Sequence, residues 1–240
     1  MPLFGSLSVP LLVRIGLAAL LAWLLLPVTV GPPGQPAGLP GIGWTAGWVL
    51  LAAKEVLVGL VMAWAVQLVF AAVQMAGTLA DVPLGFGMVN VIDPHQELHA
   101  PLLAGFHSLL AGLLFFVTEG HHVLLRAVAE SFRWLPAGAL PPGGPPLEAV
   151  VRTFAGSFAA GVQLSLPVVA VSFLADGIMG VLARAVPQIN VFITGFSVKI
   201  VLGLGVLLLA LPWVVGFVGR AFGPGGLLLE WLEGLLGGMR

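Results

Sequence analysis

The sequence predicts an all-α, polytopic membrane protein, and three observations support this prediction. Of the 240 residues, 59% are hydrophobic and 8% are charged, whereas soluble domains carry about 25% charged residues. Four apolar runs of 19 to 25 residues contain no charge, and about 20 such residues cross a bilayer as a helix. Segments rich in Pro and Gly, at residues 27–43 and 136–146, separate several of these runs and interrupt regular structure.

Five long apolar helices are predicted in chain order. We expect Asp81 and Pro83 to end the second one, because Pro removes a helical hydrogen bond and restricts the residue before it. The helices lie near residues 11–28, 47–80, 100–118, 154–175 and 200–219.

A short amphipathic helix is predicted near residues 227–239, after a Gly-Pro-Gly-Gly segment. Glu230 and Glu233 lie on one face of this helix, and apolar residues lie on the other. Such a pattern is typical of a helix in the membrane interface.

Composition excludes several classes of function. The formal net charge of -1 and the scattered basic residues provide no patch for nucleic-acid phosphates. The absence of cysteine excludes disulfides and thiolate metal sites. The sequence also lacks a P-loop, a dinucleotide-binding glycine motif and a nucleophile triad. We therefore predict no enzyme activity, no catalytic residue and no cofactor.

Asp93, His95, Glu97 and His99 form the most polar cluster, and His95 and His99 have the spacing of two metal ligands on a helix. However, a zinc-protease motif needs Glu directly after the first His, where this chain has Gln96. The pattern fits a helix start better, with Asp93 as N-cap and Pro94 as the first helical residue. We predict no metal site here, and stoichiometric metal bound to the purified protein would contradict that.

A second polar cluster, residues 119–122, contains Glu119, His121 and His122 at the end of the third helix. An acid–base pair is conceivable here, but Gly followed by His is ordinary chemistry for the end of a helix.

Polar and small residues inside the apolar runs predict helix packing. Gln67, Gln74 and Gln163 require hydrogen-bond partners on other helices, within this chain or in another subunit. A stripe of small residues near Gly161 allows a neighbouring helix to approach closely. Between the second and third helices, the apolar, glycine-containing segment from Gly85 to Val91 is tolerated at membrane depth only when it is buried or lines a cavity.

The segment RAVPQINVFITGFSVKI, at residues 184–200, is distinctive enough to compare with known families. It is similar to the FliR family of flagellar export-gate proteins, which is related to the SctT proteins of type III secretion systems. Other segments agree in order along the chain, including KEVLVGL from Lys54 and EGHHVLLRAVAESFRWLP from Glu119. The family usually has Pro where this chain has Ser197. The resemblance covers nearly the whole chain as one domain, residues 1–240.

The resemblance implies assembly with FliP and FliQ homologues into a hetero-oligomeric, helical export-gate channel in the bacterial inner membrane, at the flagellar basal body. FlhB and FlhA homologues are the further partners implied, and unfolded flagellar proteins are the implied substrates. Family members carry one more apolar helix before a segment like PLFGSLSVPLLVRIGL, so this chain is expected to be one helix shorter at its start.

The resemblance also implies three groups of functional residues. A pore plug is expected at Gly85, Phe86, Gly87, Met88, Val89, Asn90, Val91, Asp93 and Pro94. An assembly and packing motif is expected at Arg184, Pro187, Gln188, Asn190, Phe192, Gly195, Phe196 and Lys199. Because an unpaired charge between apolar helices is unfavourable, we also expect at least Arg184 to bond a backbone carbonyl or a carboxylate. Polar contacts between subunits are expected at Lys54, Glu55, Gln67, Gln74, Glu119 and His121.

Two alternatives remain open at the level of sequence. One is an export-gate subunit of an injectisome, although Gly195 and Phe196 favour the flagellar branch. The other is a small-solute permease whose route is lined by Gln67, Gln74 and His107, although the sequence shows none of the internal repeats typical of such transporters.

Overall fold

The prediction of an all-α protein is confirmed. The computed structural model describes residues 10–29, 46–86, 101–136, 144–188, 190–223 and 225–239, and all regular structure in these ranges is helical. The helices are α1 (Leu11–Thr29), α2 (Ala46–Leu84), α3 (Leu102–Val117), α4 (Gly120–Trp134), α5 (Leu147–Ala185), α6 (Val191–Ala221) and α7 (Leu227–Gly237).

Three of the described helices, α2, α5 and α6, are long and apolar enough to cross a membrane. Helices α3 and α4 form a fourth candidate as a pair, bent by 71° at the break between them. Helix α1 is apolar but shorter. At 1.5 Å per residue, the 39 residues of α2 extend about 58 Å, nearly twice the hydrocarbon thickness of a bilayer.

The prediction that α2 ends near Ala80 is wrong, because the helix continues to Leu84 with Pro83 inside it. Pro83 lacks only its own backbone N–H, so a single hydrogen bond to the preceding turn is lost, and Leu84 after it can remain helical. Gly85 ends the helix instead. Its φ of 83° is the left-handed conformation in which glycine commonly terminates helices.

Helix α4 was not among the predicted helices. Glu119 adopts the left-handed conformation, with φ 56° and ψ 28°, and the chain bends there into a new helix. The expected helix end near residue 118 is therefore present, but it is followed at once by a second helix. This helix carries Arg126, Glu130 and Arg133, so a search for charge-free runs does not detect it.

Helices α5 and α6 are longer than predicted at residues 154–175 and 200–219. Helix α5 continues ten residues past Ala175, to Ala185, and α6 begins nine residues before Ile200, at Val191. Asp176 and Lys199 bound the charge-free runs in the sequence, but in the structure their side chains pair with each other. Pairing makes both charges compatible with helical segments in apolar surroundings.

The chain divides into two compact units. The first comprises residues 1–69, 115–155 and 220–240, and the second comprises residues 70–114 and 156–219. Several long helices thus contribute one portion to each unit.

Close helix contacts in the second unit depend on glycine. A Cβ atom on Gly77 would lie 2.6 Å from the Cα of Ala104, so α2 and the start of α3 approach backbone to backbone. Gly161 packs in the same way against Ala72 and Met75, and Gly203 packs against Leu84. Small residues of this kind let helices approach where lipid gives no hydrophobic drive for association. The core of this unit contains Ala80, Leu84, Leu103, Val168 and Leu207.

The first unit buries the apolar face of α7. Leu228, Leu232, Leu235 and Leu236 are fully buried, and Leu236 packs in a cluster with Leu135 and Met239. Helix α7 is amphipathic as predicted, but protein rather than the membrane interface covers its apolar face. The sequence pattern is the same in both cases, because it specifies an apolar face and not what covers that face.

Candidate functional site

The segment from Pro187 to Lys199 forms the connection between α5 and α6 and the first turns of α6. Pro187 and Gln188 lie in an exposed turn. Asn190 caps helix α6, because its Oδ1 accepts a hydrogen bond from the backbone N–H of Ile193, at 3.3 Å. Asn is among the preferred N-cap residues, since its side chain satisfies a free N–H of the first turn. This part of the predicted motif thus has a local structural role.

Gly195 and Phe196 connect α6 to its neighbours in the second unit. Gly195 is buried, and a Cβ atom there would lie 3.5 Å from Cγ of Met179 on α5. The ring of Phe196 lies against Gly85, where a Cβ atom would lie 2.9 Å from the Cε2 of the ring. Two of the glycines that the resemblance singled out, Gly85 and Gly195, therefore lie in one region of the unit, and Gly85 is confined by Phe196.

Lys199 on α6 forms an ion pair with Asp176 on α5. The side chain of Lys199 is 20% exposed and that of Asp176 is 49% exposed. An ion pair between apolar helices is compatible with lipid surroundings because each charge neutralises the other. Asp176 was not among the predicted site residues. Asp176 directly follows a charge-free run of 22 residues, and a lone charge at such a position indicates a side chain that needs a partner.

These residues line a groove of about 1050 Å³ between the end of α2, the second half of α5 and the start of α6. Its walls are largely apolar, and Asp176 and Lys199 are the charged residues among those that line it. Gly85, Gly195 and Phe196 also line the groove. The last part of the predicted motif, Gly195, Phe196 and Lys199, and the first residue of the predicted plug segment thus meet at one site.

Asp81 holds the start of α3 and was missed as a site residue. Its side chain is buried, with 3% of the residue exposed. Its two carboxylate oxygens accept hydrogen bonds from the backbone N–H groups of Leu103, at 3.0 Å, and Ala104, at 3.3 Å. The first N–H groups of a helix have no partner within the helix, and a carboxylate also interacts favourably with the helix dipole. Asp81 therefore caps a helix that begins some twenty residues later in the chain.

Most of the predicted plug lies outside the described residues, namely the part from Gly87 to Pro94. Gly85 and Phe86 are described, and Phe86 packs against the core of the second unit. His95, Glu97 and His99 also lie outside the described residues. Within the part that the structure describes, no group of three or more His, Cys, Asp or Glu side chains could hold a metal ion.

The glutamines of the apolar helices face outward. Gln67, Gln74 and Gln163 are all exposed, and among the described residues their side chains have no hydrogen-bond partner. His107, by contrast, is buried, and its ring bonds the carbonyl of Leu103 at 2.8 Å. Of the three residues that the permease alternative placed along one route, Gln74 is thus exposed and His107 is buried within the second unit.

The remaining predicted polar residues lie in the first unit. Lys54 and Glu55 are half-buried on α2, and Glu55 lines a smaller cavity of about 240 Å³. Glu119 lies 3.5 Å from His122 in a pair of exposed side chains. His121 instead packs against the rings of Phe115 and Phe116, and its Nδ1 is buried without a hydrogen-bond partner among the described residues.

Arg184 lies at the end of α5 and is exposed. The expectation that it bonds a carbonyl or carboxylate is not met within the described part of the chain. Phe192 lies in the first turn of α6.

Comparisons with known proteins agree with the similarity to the FliR family that the sequence motifs indicated. The family described as "Bacterial export proteins, family 1" matches residues 1–224. The flagellar biosynthetic protein FliR of Bacillus subtilis is 35% identical over 238 residues, which cover 98% of this chain and 88% of that protein. FliR of Escherichia coli is 28% identical over 222 residues, covering 92% and 82%.

A related secretion protein also matches. The secretion system apparatus protein SsaT of Salmonella typhimurium is 29% identical over 212 residues, which cover 88% of this chain and 80% of that protein. The family match extends over residues 1–224 and so includes every residue that lines the groove. The chain belongs to family 1 of the bacterial export proteins.

Proposed function

We propose that this chain is a structural and gating subunit of the flagellar type III export gate. With FliP and FliQ homologues it forms the channel through which unfolded flagellar subunits pass, in the inner membrane at the flagellar basal body. FlhB and FlhA homologues are the neighbours in this assembly. The observation that carries the proposal is the similarity to FliR of Bacillus subtilis over 98% of the chain.

The surface of the long helices supports an assembled state. Gln67, Gln74 and Gln163 project outward from charge-free stretches of α2 and α5. A polar side chain facing hydrocarbon is unfavourable unless another helix supplies a hydrogen-bond partner. Neighbouring subunits supply these partners for the three glutamines in this proposal, and Lys54, Glu55, Glu119 and His121 are proposed as further contacts between subunits.

Co-expression tests the assembly. The chain produced with affinity-tagged FliP and FliQ homologues from the same genome should co-purify with them and resist protease longer than the chain produced alone. A monodisperse, protease-resistant monomer whose stability is unchanged by those partners contradicts the proposal.

The segment from Gly85 to Pro94 is proposed as the pore plug. It begins at the glycine that ends α2, next to Phe196 and the groove. Phe86 and Met88 supply apolar side chains for a seal, and the glycines allow the backbone to move. Deleting residues 86–90 in the assembled complex should leave the complex intact and raise its ion conductance across a planar bilayer. An intact complex with unchanged conductance contradicts the plug.

An injectisome export gate is the second candidate, and the similarity to SsaT favours it. Complementation separates the two functions. The flagellar proposal expects this chain to restore swimming to a strain lacking its own FliR, and not to restore effector secretion to a strain lacking its SctT protein.

A further inference from the structure

The chain leaves α2 and returns at α3 beside one core cluster of the second unit. Phe86, directly after the glycine that ends α2, packs against a core that contains both Leu84 and Leu103. Leu103 lies in the first turn of α3. The segment that connects the two helices therefore starts and ends close to the same cluster. We call the described residues on its two sides, 77–86 and 102–104, the loop base.

Asp81 joins the two sides of the loop base directly. Its carboxylate oxygens accept hydrogen bonds from the backbone N–H groups of Leu103, at 3.0 Å, and Ala104, at 3.3 Å. Asp81 is buried, and hydrogen bonds to a charged acceptor are stronger than bonds between neutral groups. Gly77, one helical turn before Asp81, lets α3 approach, since a Cβ atom there would lie 2.6 Å from the Cα of Ala104.

Helix α6 holds the α2 side of the loop base. Leu84 is fully buried, and it packs so closely on Gly203 that a side chain at Gly203 has no room. The ring of Phe196 lies against Gly85, which ends α2 with a φ of 83°. The end of α2 is thus fixed to α6 by apolar packing, and Asp81 in turn fixes the start of α3 to α2.

We propose that Asp81 is a positioning residue for the pore plug, because it ties both ends of the plug segment to one base. This role rests on the plug function proposed for Gly85 to Pro94. Since an extended residue spans about 3.3–3.6 Å, the 14 residues 87–100 can reach at most about 25 Å from a base at which they both start and end. The place of the base therefore limits where the plug acts.

A tied base favours the sealed channel by preorganisation. A segment whose two ends are held together has fewer conformations than one whose ends can separate. Restricting the conformations outside the sealing position raises the fraction of time that the segment spends in it, as preorganisation raises the affinity of a binding segment. If Asp81 only stabilises the fold, its loss has no effect that depends on the plug segment.

Electron paramagnetic resonance on the full chain in detergent tests whether Asp81 holds the base. The chain has no cysteine, so spin labels at Val82→Cys and Leu102→Cys, both exposed, report on the separation of α2 and α3. Strong dipolar broadening is expected with Asp81 present, and Asp81→Leu should reduce it. Asp81→Asn keeps the size of the side chain and should reduce it less. Circular dichroism confirms the helical content of each variant.

The conductance of the assembled complex in a planar bilayer tests the link to the plug. Asp81→Leu should raise the ion conductance several-fold, because losing a hydrogen bond to a charged group shifts an equilibrium about tenfold or more. Adding the deletion of residues 86–90 to Asp81→Leu should give the conductance of the deletion alone, since Asp81 acts through the deleted segment. Val214→Ala, buried in the same unit and further along α6 than Gly203, controls for lost stability and should leave the conductance unchanged.

Two outcomes overturn the positioning role. Unchanged dipolar broadening in both Asp81 variants shows that Asp81 does not hold the base. In the assembled complex, unchanged conductance of both variants, or conductance of the combined variant that is the sum of the two separate increases, shows that Asp81 does not act through the plug. Failure of the plug itself is a distinct result, because the deletion alone then leaves the conductance unchanged while the broadening still responds to Asp81.

Discussion

At the scale of single residues, Asp81 is the group that most clearly joins sequence-distant segments. The carboxylate supplies both acceptors for the start of α3, and it is shielded from water. Nothing in the local sequence indicates this partner, because Leu103 and Ala104 follow more than twenty residues later. A lone Asp between apolar residues has a local interpretation as the end of a helix, and that interpretation was wrong.

We expect Asp81→Leu to destabilise the protein by about 2 kcal/mol or more, since it removes a helix cap and leaves two buried N–H groups without acceptors. The measurement is the shift in the chemical denaturation midpoint of the protein in detergent. Glu148→Gln is the control, because Glu148 pairs with Arg152 in an exposed pair, and such pairs contribute about 0–1 kcal/mol. Equal effects of the two substitutions contradict the capping role.

Arg184 provides a second prediction at this scale. It is exposed at the end of α5, among apolar residues of which Ile178 and Val181 are also exposed. We expect Arg184→Leu to lower the yield of co-purified complex several-fold, because an assembly partner supplies the carbonyl or carboxylate that Arg184 requires. Arg152→Leu, at an exposed position on the same helix, should leave that yield unchanged. Equal yields for both variants show that Arg184 is simply solvated.

At the scale of helices, glycines determine which elements can touch. Gly77 and Gly59 both lie in α2, yet only Gly77 faces a backbone, that of α3. A Cβ atom on Gly59 has no neighbour within 4 Å. The same residue type thus has a packing role at one position and no packing role at the other.

This difference predicts opposite effects for the same substitution. Gly77→Ala should destabilise the protein, because its Cβ must push α3 away and loosen the bonds to Asp81. Gly59→Ala should be neutral or stabilising by up to about 1 kcal/mol, since Ala has the higher helix propensity. Thermal unfolding followed by circular dichroism compares the two. A stabilised Gly77→Ala protein contradicts the close contact between α2 and α3.

At the scale of the whole molecule, exposed apolar helices carry a few outward polar side chains. Helices α2, α5 and α6 expose many large hydrophobic residues, as expected for a surface in contact with lipid or other membrane helices. Gln67 and Gln74, seven residues apart, lie close to one face of α2, where both are exposed. Their hydrogen-bond partners are proposed to come from neighbouring subunits.

We expect the double variant Gln67→Leu and Gln74→Leu to reduce co-purification with FliP and FliQ homologues, while the helical content of the isolated chain stays unchanged. Each interhelical hydrogen bond of this kind contributes about 0.6–2 kcal/mol, so the loss should be measurable in a competition pull-down. Gln35→Leu, in the Pro- and Gly-rich linker, makes the same chemical change as a control. Unchanged co-purification of the double variant places the glutamines against lipid or within the chain.

The sequence by itself determined the class of fold and the family. Hydrophobic runs and Pro- and Gly-rich breaks predicted an all-α membrane protein, because the length of a helix needed to cross a bilayer is set by the bilayer. The segment at residues 184–200 predicted the family. Asn190 has a local physical role in this segment as a helix cap, and Gly195 faces Met179 of α5 with room for ordinary van der Waals contact.

Only the tertiary structure decided where helices end and which charges are compensated. A charge-free run marks apolar sequence, but α5 and α6 continue past Asp176 and Lys199 because these side chains neutralise each other across two helices. The cap that Asp81 places on α3 and the covering of α7 by its own chain are likewise contacts between segments distant in sequence. Local patterns specify which groups need partners, and the packing of the helices specifies which partners they have.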